Sequence, residues 1–180
     1  MKFTDKDTFE ALTDQELMGL CIYCEAAGEP YEGRVAIGTV ILERVDKQDW
    51  EGKTIQEVIL KPWQFSWTMP EAGEAYYDKA VAMADDFNVE IMKNVPLREC
   101  FDIAKGLISG SILRDPDLHA VRCCQYLNPV TATTTKAKWL DHGMKVIKRI
   151  GHHDFFESCP MDKRVCVICA RIEVEKSGFL

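Results

Sequence analysis

The first apolar stripe of the chain has the spacing of a helix. Thr13 and Glu16 have the spacing of a capping box, in which each residue bonds the backbone of the other. The stripe that follows consists of Leu17, Leu20, Cys21 and Cys24. These features predict a helix from Asp14 to Ala26 that ends near Gly28, because glycine suits a left-handed cap.

A second helix is predicted directly after the first. Pro30 suits its first turn, and a buried stripe follows at Val35, Ala36, Val40 and Ile41. Glu29 precedes the proline, which disfavours a helical conformation at Glu29. The two helices therefore meet at a tight corner, and this corner carries three acidic residues: Glu25, Glu29 and Glu32.

The rest of the chain changes from helical to extended patterns. Further helices are predicted over Thr54–Leu60, Gly73–Phe87 and Leu97–Ser109, with an aromatic and polar loop over Trp63–Trp67. From Leu118 onward, β-branched and aromatic residues predict strands over His119–Leu127, Lys145–Ile150 and Val165–Val174, with a short helical piece over Lys136–Leu140. We expect an α+β, mainly helical fold with a small antiparallel sheet and a cleft between the two parts.

Composition limits the class of protein. A chain of 180 residues, 47% of them hydrophobic, predicts one domain over residues 1–180. The net charge of −7 and the lack of a basic run argue against nucleic acid or anionic lipid as a partner. Residues 1–10 lack the pattern of a signal peptide, and no apolar stretch is long enough for stable membrane insertion. We expect a monomer that is made in the cytoplasm.

Eight cysteines are present, and four of them form two Cys-x-x-Cys pairs. Cys21 and Cys24 lie in a helical apolar pattern, whereas Cys166 and Cys169 lie in an alternating pattern without the turn residues of a zinc knuckle. Buried thiols are therefore expected rather than disulfides or zinc ligands, and no metal or cofactor is expected.

Glu25 is the candidate catalytic residue. It lies in the last turn of the first predicted helix, where the helix dipole raises the pKa of a carboxyl group, and burial would raise it further. A carboxyl group that stays protonated near neutral pH can protonate the leaving oxygen in glycoside cleavage. The alternative is an ordinary surface acid at a helix end. Glu29 and Glu32 are the nearest other candidates, and for Glu29 we expect bonds to the backbone donors that open the second helix.

Other polar and aromatic residues are candidates for substrate binding. The Gln64-Phe65-Ser66-Trp67 loop combines aromatic faces with amide and hydroxyl groups, which suits sugar rings, although Phe65 and Trp67 could equally pack into the core. Tyr126 and Asn128 offer the same mixture. His152 and His153 precede Asp154, and because metal-binding and nucleophile motifs are absent we expect His153 to position other groups. Asp141, Asp154 and Glu157 could also approach the site.

The corner segment resembles a known signature. Residues 25–36 match the pattern Glu-Ala-x-Gly-Glu-x-x-x-Gly-x-x-Ala of the SleB-type cell-wall hydrolases. The match continues at Gln64-Phe65-Ser66, at Tyr126-Leu127-Asn128-Pro129, and at Ile150-Gly151-His152-His153-Asp154-Phe155, so that it covers residues 13–156. Glu43 departs from the asparagine that is frequent in the family, residues 69–117 match less well, and residues 157–180 lie outside the resemblance as an expected extra strand.

The resemblance implies a fold, an activity and a context. The implied fold is a lysozyme-like or lytic-transglycosylase-like body, and the implied substrate is peptidoglycan, cut between N-acetylmuramic acid and N-acetylglucosamine. Glu25 would be the general acid, and Gln64, Phe65, Ser66, Tyr126, Asn128 and His153 would line the cleft. The product would identify a muramidase or a lytic transglycosylase. A catalytic domain without an export signal resembles a phage endolysin, made in the host cytoplasm and acting at the bacterial cell wall.

Two other classes of function remain open at this point. A zinc-dependent amidase or peptidase could attack the stem peptides of peptidoglycan through His152 or His153 and cysteines. A non-catalytic wall-binding protein could keep the cleft without the reaction. Zinc that is lost together with activity would identify the first class. A Glu25 variant that behaves like the wild type would identify the second class.

Overall fold

A computed structural model describes residues 5–48, 51–123, 125–141 and 143–157. Its α-helices are α1 (Asp5–Glu10), α2 (Asp14–Ala26), α3 (Tyr31–Lys47), α4 (Ile55–Ile59), α5 (Glu74–Asp85), α6 (Phe87–Lys93), α7 (Val95–Ser109), α8 (Pro116–Ala120) and α9 (Thr133–Asp141). Short 3-10 turns at Ser66–Thr68 and Pro70–Ala72 join α4 to α5. The strands are β1 (Gln125–Leu127), β2 (Val146–Ile150) and β3 (His153–Phe156). The predicted mainly helical fold with a small antiparallel sheet is confirmed.

Helix α2 lies in the middle of the helical body. It contacts α3, α4, α5 and α7, and its residues from Leu17 to Ile22 are buried. A Cβ atom at Gly19 would lie 2.8 Å from Cα of Phe101, so the missing side chain lets α2 and α7 approach closely. The capping box forms as predicted, because Thr13 and Glu16 each accept the backbone N–H of the other. The predicted limits of this helix are confirmed.

The corner after α2 differs from the prediction in one detail. Ala27 ends the helix in the right-handed conformation, and the N–H of Glu29 donates to the carbonyl of Ala26 over 3.0 Å. Gly28 does not adopt a positive φ, so the predicted left-handed cap is wrong. The chain turns through helix-like hydrogen bonds instead, and Pro30 then stands at the N-cap of α3.

The strand predicted over residues 119–127 is wrong in its first half. Asp115 accepts hydrogen bonds of 3.1 Å from the backbone N–H groups of Asp117 and Leu118, and Pro116 occupies the first turn. An acidic N-cap followed by proline starts a helix, here α8, so the strand is limited to β1. Helix α9 also begins earlier than predicted, at Thr133.

The sheet has the order β1-β3-β2 with antiparallel pairing throughout. Tyr126 pairs with Phe155, and Ile150 pairs with His153 at the β2–β3 turn. The sequence patterns did not predict β3, although this strand holds the sheet together. The strand predicted over residues 165–174 lies outside the described residues.

Glu43 is buried, and its carboxylate is bonded to two basic side chains. Its carboxylate lies 2.7 Å from Nη1 of Arg114 and 2.5 Å from Nδ1 of His119. It therefore connects α3 to α8 and to the segment directly before α8. Buried carboxylates need such partners. As far as the described helices show, each is too short or too polar to cross a bilayer.

Candidate active site around Glu25

Glu25 joins the helical body to the sheet. It is the penultimate residue of α2, and its Oε2 atom accepts a hydrogen bond of 2.9 Å from the hydroxyl of Tyr126 in β1. The two side chains are only partly buried. The structure therefore brings together two of the predicted site residues at the boundary between the two parts of the fold.

The pKa of Glu25 is raised above its ordinary value, as predicted from the sequence. Burial is the main cause, and the hydrogen bond from Tyr126 and the positive charge of Arg44 act in the opposite direction. Burial and the neighbouring Glu25 also raise the pKa of Tyr126 well above its ordinary value. The phenol therefore stays protonated and donates to the carboxyl group of Glu25.

Arg44 is a charged residue near the site that the sequence reasoning missed. It is buried in α3, and its guanidinium lies 5.4 Å from the centroid of the Phe65 ring, a cation–π distance. The available signal was its position, because Arg44 continues the buried stripe of Ile37 and Ile41 at helical spacing. A charged residue on such a stripe indicates a functional or paired side chain.

His153 packs against Tyr126. The two rings meet edge to face with centroids 5.4 Å apart, and Nδ1 of His153 lies 3.5 Å from Oε1 of Glu29. Burial lowers the pKa of His153, although Glu29 acts in the opposite direction. A neutral, buried ring in this place fits the predicted positioning role, because it packs against the ring of the tyrosine whose hydroxyl contacts Glu25.

Glu29 holds the β2–β3 turn. Its carboxylate accepts the backbone N–H of His152 over 3.0 Å and lies 2.9 Å from Nδ1 of the same residue. Gly151 has a φ of +54°, and a Cβ atom there would lie 1.6 Å from Oε2 of Glu29. The expectation that Glu29 bonds the donors opening α3 is therefore wrong, because its donors come from His152 in the β2–β3 turn. Glu32 is exposed.

The predicted loop residues occupy different environments. Phe65 is 1% exposed and lies under Arg44, so its ring is part of the core and not a sugar-binding face. Ser66 is exposed at the start of a 3-10 turn. Gln64 has a buried Nε2 atom without a hydrogen-bond partner among the described residues. Asn128 uses its side-chain oxygen to accept the N–H groups of Val130 and Thr131 and so shapes the turn after β1.

The three acidic candidates from the second half of the chain are either exposed or bonded to basic residues. Asp154 is buried, and its carboxylate bonds Lys136 and Arg149 over 2.5 Å each. These bonds lower the pKa of Asp154, that from Arg149 having the largest effect. Asp141 and Glu157 are exposed. Asp154 therefore has a structural role in joining α9 to the sheet.

The cysteines of α2 are unreactive in this environment. Burial raises the pKa of Cys21 and of Cys24 far above the ordinary value, with Glu25 as a further cause, so both remain thiols at neutral pH. In the part of the chain that the structure describes, no three His, Cys, Asp or Glu side chains are grouped as metal ligands. Cys166 and Cys169 lie outside that part.

A cavity of about 330 Å³ lies between α1, α5 and α6. Leu12 and Phe87 line its apolar part, and Glu16 and Asp85 line its polar part. None of the predicted site residues lines it, so this cavity is separate from the Glu25 site.

The sequence matches known proteins over most of its length. The family model described as Cell Wall Hydrolase matches residues 28–156. The spore cortex-lytic enzyme of Bacillus subtilis (strain 168) is 34% identical over 145 residues, which are 80% of this chain and 37% of the relative. The spore cortex-lytic enzyme of Oceanobacillus iheyensis is 34% identical over 79% of this chain and 41% of its own length. This chain thus spans about two fifths of these relatives or less.

Two solved catalytic domains are similar in structure. The catalytic domain of the Bacillus cereus SleB protein has a TM-score of 0.50 and 29% identity, covering 79% of this chain and 88% of that domain. The catalytic domain of the germination-specific lytic transglycosylase SleB from Bacillus anthracis has a TM-score of 0.51 and 28% identity, covering 81% and 97%. This likeness confirms the expected lysozyme-like body. The chain belongs to the cell wall hydrolase family.

Proposed function

We propose that this protein cleaves the glycan strands of peptidoglycan between N-acetylmuramic acid and N-acetylglucosamine as a lytic transglycosylase, with Glu25 as the catalytic acid. The observation that carries the proposal is the bond between Glu25 and Tyr126 in a partly buried site that raises the pKa of the carboxyl group. The similarity to a domain named a lytic transglycosylase supports the choice of reaction.

In the first step, Glu25 donates its proton to the glycosidic oxygen, and the bond from C1 of muramic acid to that oxygen breaks. The leaving N-acetylglucosamine thereby gains a free hydroxyl group. Tyr126 keeps its hydrogen bond to Glu25 and stabilises the carboxylate that forms. In the second step, the 6-hydroxyl of muramic acid attacks C1 and transfers its proton to Glu25, which restores the acid and yields a 1,6-anhydro sugar.

One carboxyl group suffices for both steps, which fits the surroundings of Glu25. The carboxylate of Glu29 is occupied by His152, and that of Asp154 by Lys136 and Arg149. A hydrolase of the two-carboxylate type needs a second acid across the scissile bond. Since the nearby candidates have structural bonds, intramolecular attack by the substrate is the better-supported second step.

The test is mass spectrometry of the soluble muropeptides that the protein releases from purified peptidoglycan. Wild-type protein should release fragments with anhydro-muramic ends, and Glu25→Gln should release none although its thermal unfolding midpoint is no lower than that of wild type. Reducing ends would indicate a muramidase and contradict the transglycosylase step. Intact glycan strands with freed peptides, or full activity of Glu25→Gln, would overturn the proposal and favour an amidase or a different acid.

The biological context is a finer part of the proposal. We propose that the chain acts as a monomer and as a phage endolysin that lyses the host from within, a role supported by the sequence resemblance alone. Expression in a bacterial host together with a membrane pore protein should lower culture turbidity, and Glu25→Gln should not. Turbidity that falls equally with both proteins would contradict lysis by this site, and a dimer in size-exclusion chromatography would contradict the monomer.

A further inference from the structure

Tyr76 brings α5 next to Glu25. Its hydroxyl donates a hydrogen bond to the backbone carbonyl of Cys24, the residue directly before Glu25. Carbonyl groups in the last turn of a helix lack a partner within the helix, so Tyr76 satisfies one of the open acceptors of α2. Sequence patterns did not indicate this contact, because the two residues lie 52 positions apart.

The side chain of Tyr76 is bonded through its hydroxyl group, and the residue is still exposed to solvent. Within the described part of the chain, 45% of the residue is exposed, although its hydroxyl is bonded to the protein. Burial raises the pKa of Tyr76, and Cys24 and Glu25 are further causes, which agrees with a phenol that lies close to the acid. A tyrosine with a bonded hydroxyl has little conformational freedom left to lose when a ligand packs against it.

Tyr76 is not required to fill the core of α5. The buried face of this helix consists of Tyr77, Ala80, Met83 and Ala84, and Tyr77 packs against Phe9 with ring centroids 5.9 Å apart. Tyr76 is one position away from Tyr77 and lies on a more exposed side of the helix. Lys79 is three residues further along that side, and its charge acts on Cys24, so a hydrogen-bond donor accompanies the ring.

We propose that Tyr76 is a sugar-binding residue, on which the pyranose ring of an N-acetylhexosamine unit stacks beside Glu25. Aromatic rings carry negative charge on their faces and attract the C–H groups on the apolar face of a pyranose. The site would hold the sugar next to the bond that Glu25 cleaves. This inference rests on the proposed function and adds a substrate contact within residues 69–117, which match the family signature less well.

The test measures binding without turnover. Isothermal titration calorimetry would use Glu25→Gln as the parent and, as probe, purified oligosaccharides of alternating N-acetylglucosamine and N-acetylmuramic acid. Adding Tyr76→Leu, which keeps apolar volume but has no aromatic face, should weaken binding by about tenfold. Adding Tyr76→Phe, which keeps the ring and loses the bond to Cys24, should weaken binding less than Tyr76→Leu does, because the stacking face remains and only the fixed position of the ring is lost. Thermal unfolding midpoints verify that each variant is folded.

The outcomes separate this inference from the proposed function. Parent affinity in the leucine variant would overturn the stacking role and leave catalysis by Glu25 intact. Equal weakening in the leucine and phenylalanine variants would show that the hydroxyl bond matters and not the ring, which also overturns it. Release of muropeptides by Glu25→Gln itself would contradict the proposed function, whatever Tyr76 does.

Discussion

The hydroxyl of Tyr126 donates a hydrogen bond of 2.9 Å to the carboxyl group of Glu25, although 101 positions separate the two residues in the chain. Glu25 lies in the last turn of helix α2, and Tyr126 lies in the edge strand β1. The bond can form only when the sheet packs against the body. Because hydrogen bonds to charged groups contribute about 1.5–3 kcal/mol, this bond links the electrostatics of the acid to the assembly of the fold.

Two opposing effects set the proton affinity of Glu25. Burial disfavours the charged carboxylate and raises the pKa, whereas the bond from Tyr126 and the charge of Arg44 stabilise the carboxylate and lower it. The net direction is upward. An acid that must both donate and recover a proton benefits from contacts that act on both of its protonation states.

Tyr126→Phe should move the alkaline limb of the pH–activity profile to higher pH. That limb reports the loss of the proton from Glu25, and removal of the hydroxyl withdraws a bond that lowers the pKa of this group. The rate should also fall, by about tenfold to a hundredfold, because the carboxylate formed in the first step loses a donor. Measurement of kcat/KM against pH for muropeptide release checks both effects.

Tyr31→Phe is the matched control for this experiment. Tyr31 is exposed at the start of α3, and loss of its hydroxyl should leave the pH profile and the rate unchanged. An alkaline limb that stays in place or moves to lower pH in Tyr126→Phe would contradict the assigned hydrogen bond.

The sequence predicted best those elements whose signals are local. The capping box at Thr13 and the apolar stripe after it predicted both limits of α2, and Thr54 likewise opens α4. The direction of the pKa shift of Glu25 was also predicted, although the sequence argument put the helix dipole first and the structure gives burial as the main cause. These features depend on residues within a few positions of one another.

Features that depend on distant contacts were not predictable. Glu29 was expected to bond the helix that follows it, but its donors come from His152. The two residues are 123 positions apart in the chain, and no local pattern indicates that they are in contact. The contact of Tyr76 with Cys24 is of the same kind. Phe65 had equal sequence support as a binding or a core residue, and only the packing of Arg44 over its ring shows that it is buried.

Glu25→Gln should make the protein more stable at neutral pH. The pKa of Glu25 is higher in the folded than in the unfolded chain, so the folded state binds more protons, and stability falls as pH rises between the two pKa values. This loss of stability is complete above the pKa of the folded state, and replacement by glutamine removes it because glutamine carries no charge. We expect a gain of about 1 kcal/mol in the free energy of unfolding at pH 7, measured with urea.

The same gain should disappear at acid pH, where wild-type Glu25 is protonated in both states. Glu32→Gln is the control, because Glu32 is exposed and follows the same corner. A Glu25→Gln protein that is less stable than wild type at pH 7 would show that the carboxylate stabilises the fold and would contradict the raised pKa.

Gly151→Ala should destabilise the sheet and reduce activity. The residue has a φ of +54°, and the added Cβ would lie 1.6 Å from Oε2 of Glu29, so the carboxylate must leave the turn that it holds. We expect a loss of about 3 kcal/mol or more in the free energy of unfolding. Activity should also fall, because His153 follows this turn and packs against Tyr126. Urea denaturation and muropeptide release measure the two effects.

Gly110→Ala separates steric overlap from backbone strain. Gly110 has a φ of +77° at the end of α7, and an added Cβ meets nothing within 4 Å among the described residues. Its replacement should cost only about 1 kcal/mol. Equal costs at the two glycines would mean that Glu29 does not occupy the position against Gly151.

Asp154→Asn should weaken the attachment of α9 to the sheet in a pH-dependent way. Arg149 and Lys136 lower the pKa of the buried Asp154, so its contribution is present at neutral pH and is lost as pH falls through the folded pKa. We expect a cost of about 2 kcal/mol at pH 7 that shrinks towards about pH 3, measured by urea denaturation. Glu99→Gln, at an exposed ion pair of 2.7 Å with Arg34, should cost less than about 1 kcal/mol. A cost for Asp154→Asn that does not change with pH would mean that the charge of Asp154 contributes nothing and that packing alone holds α9 in place.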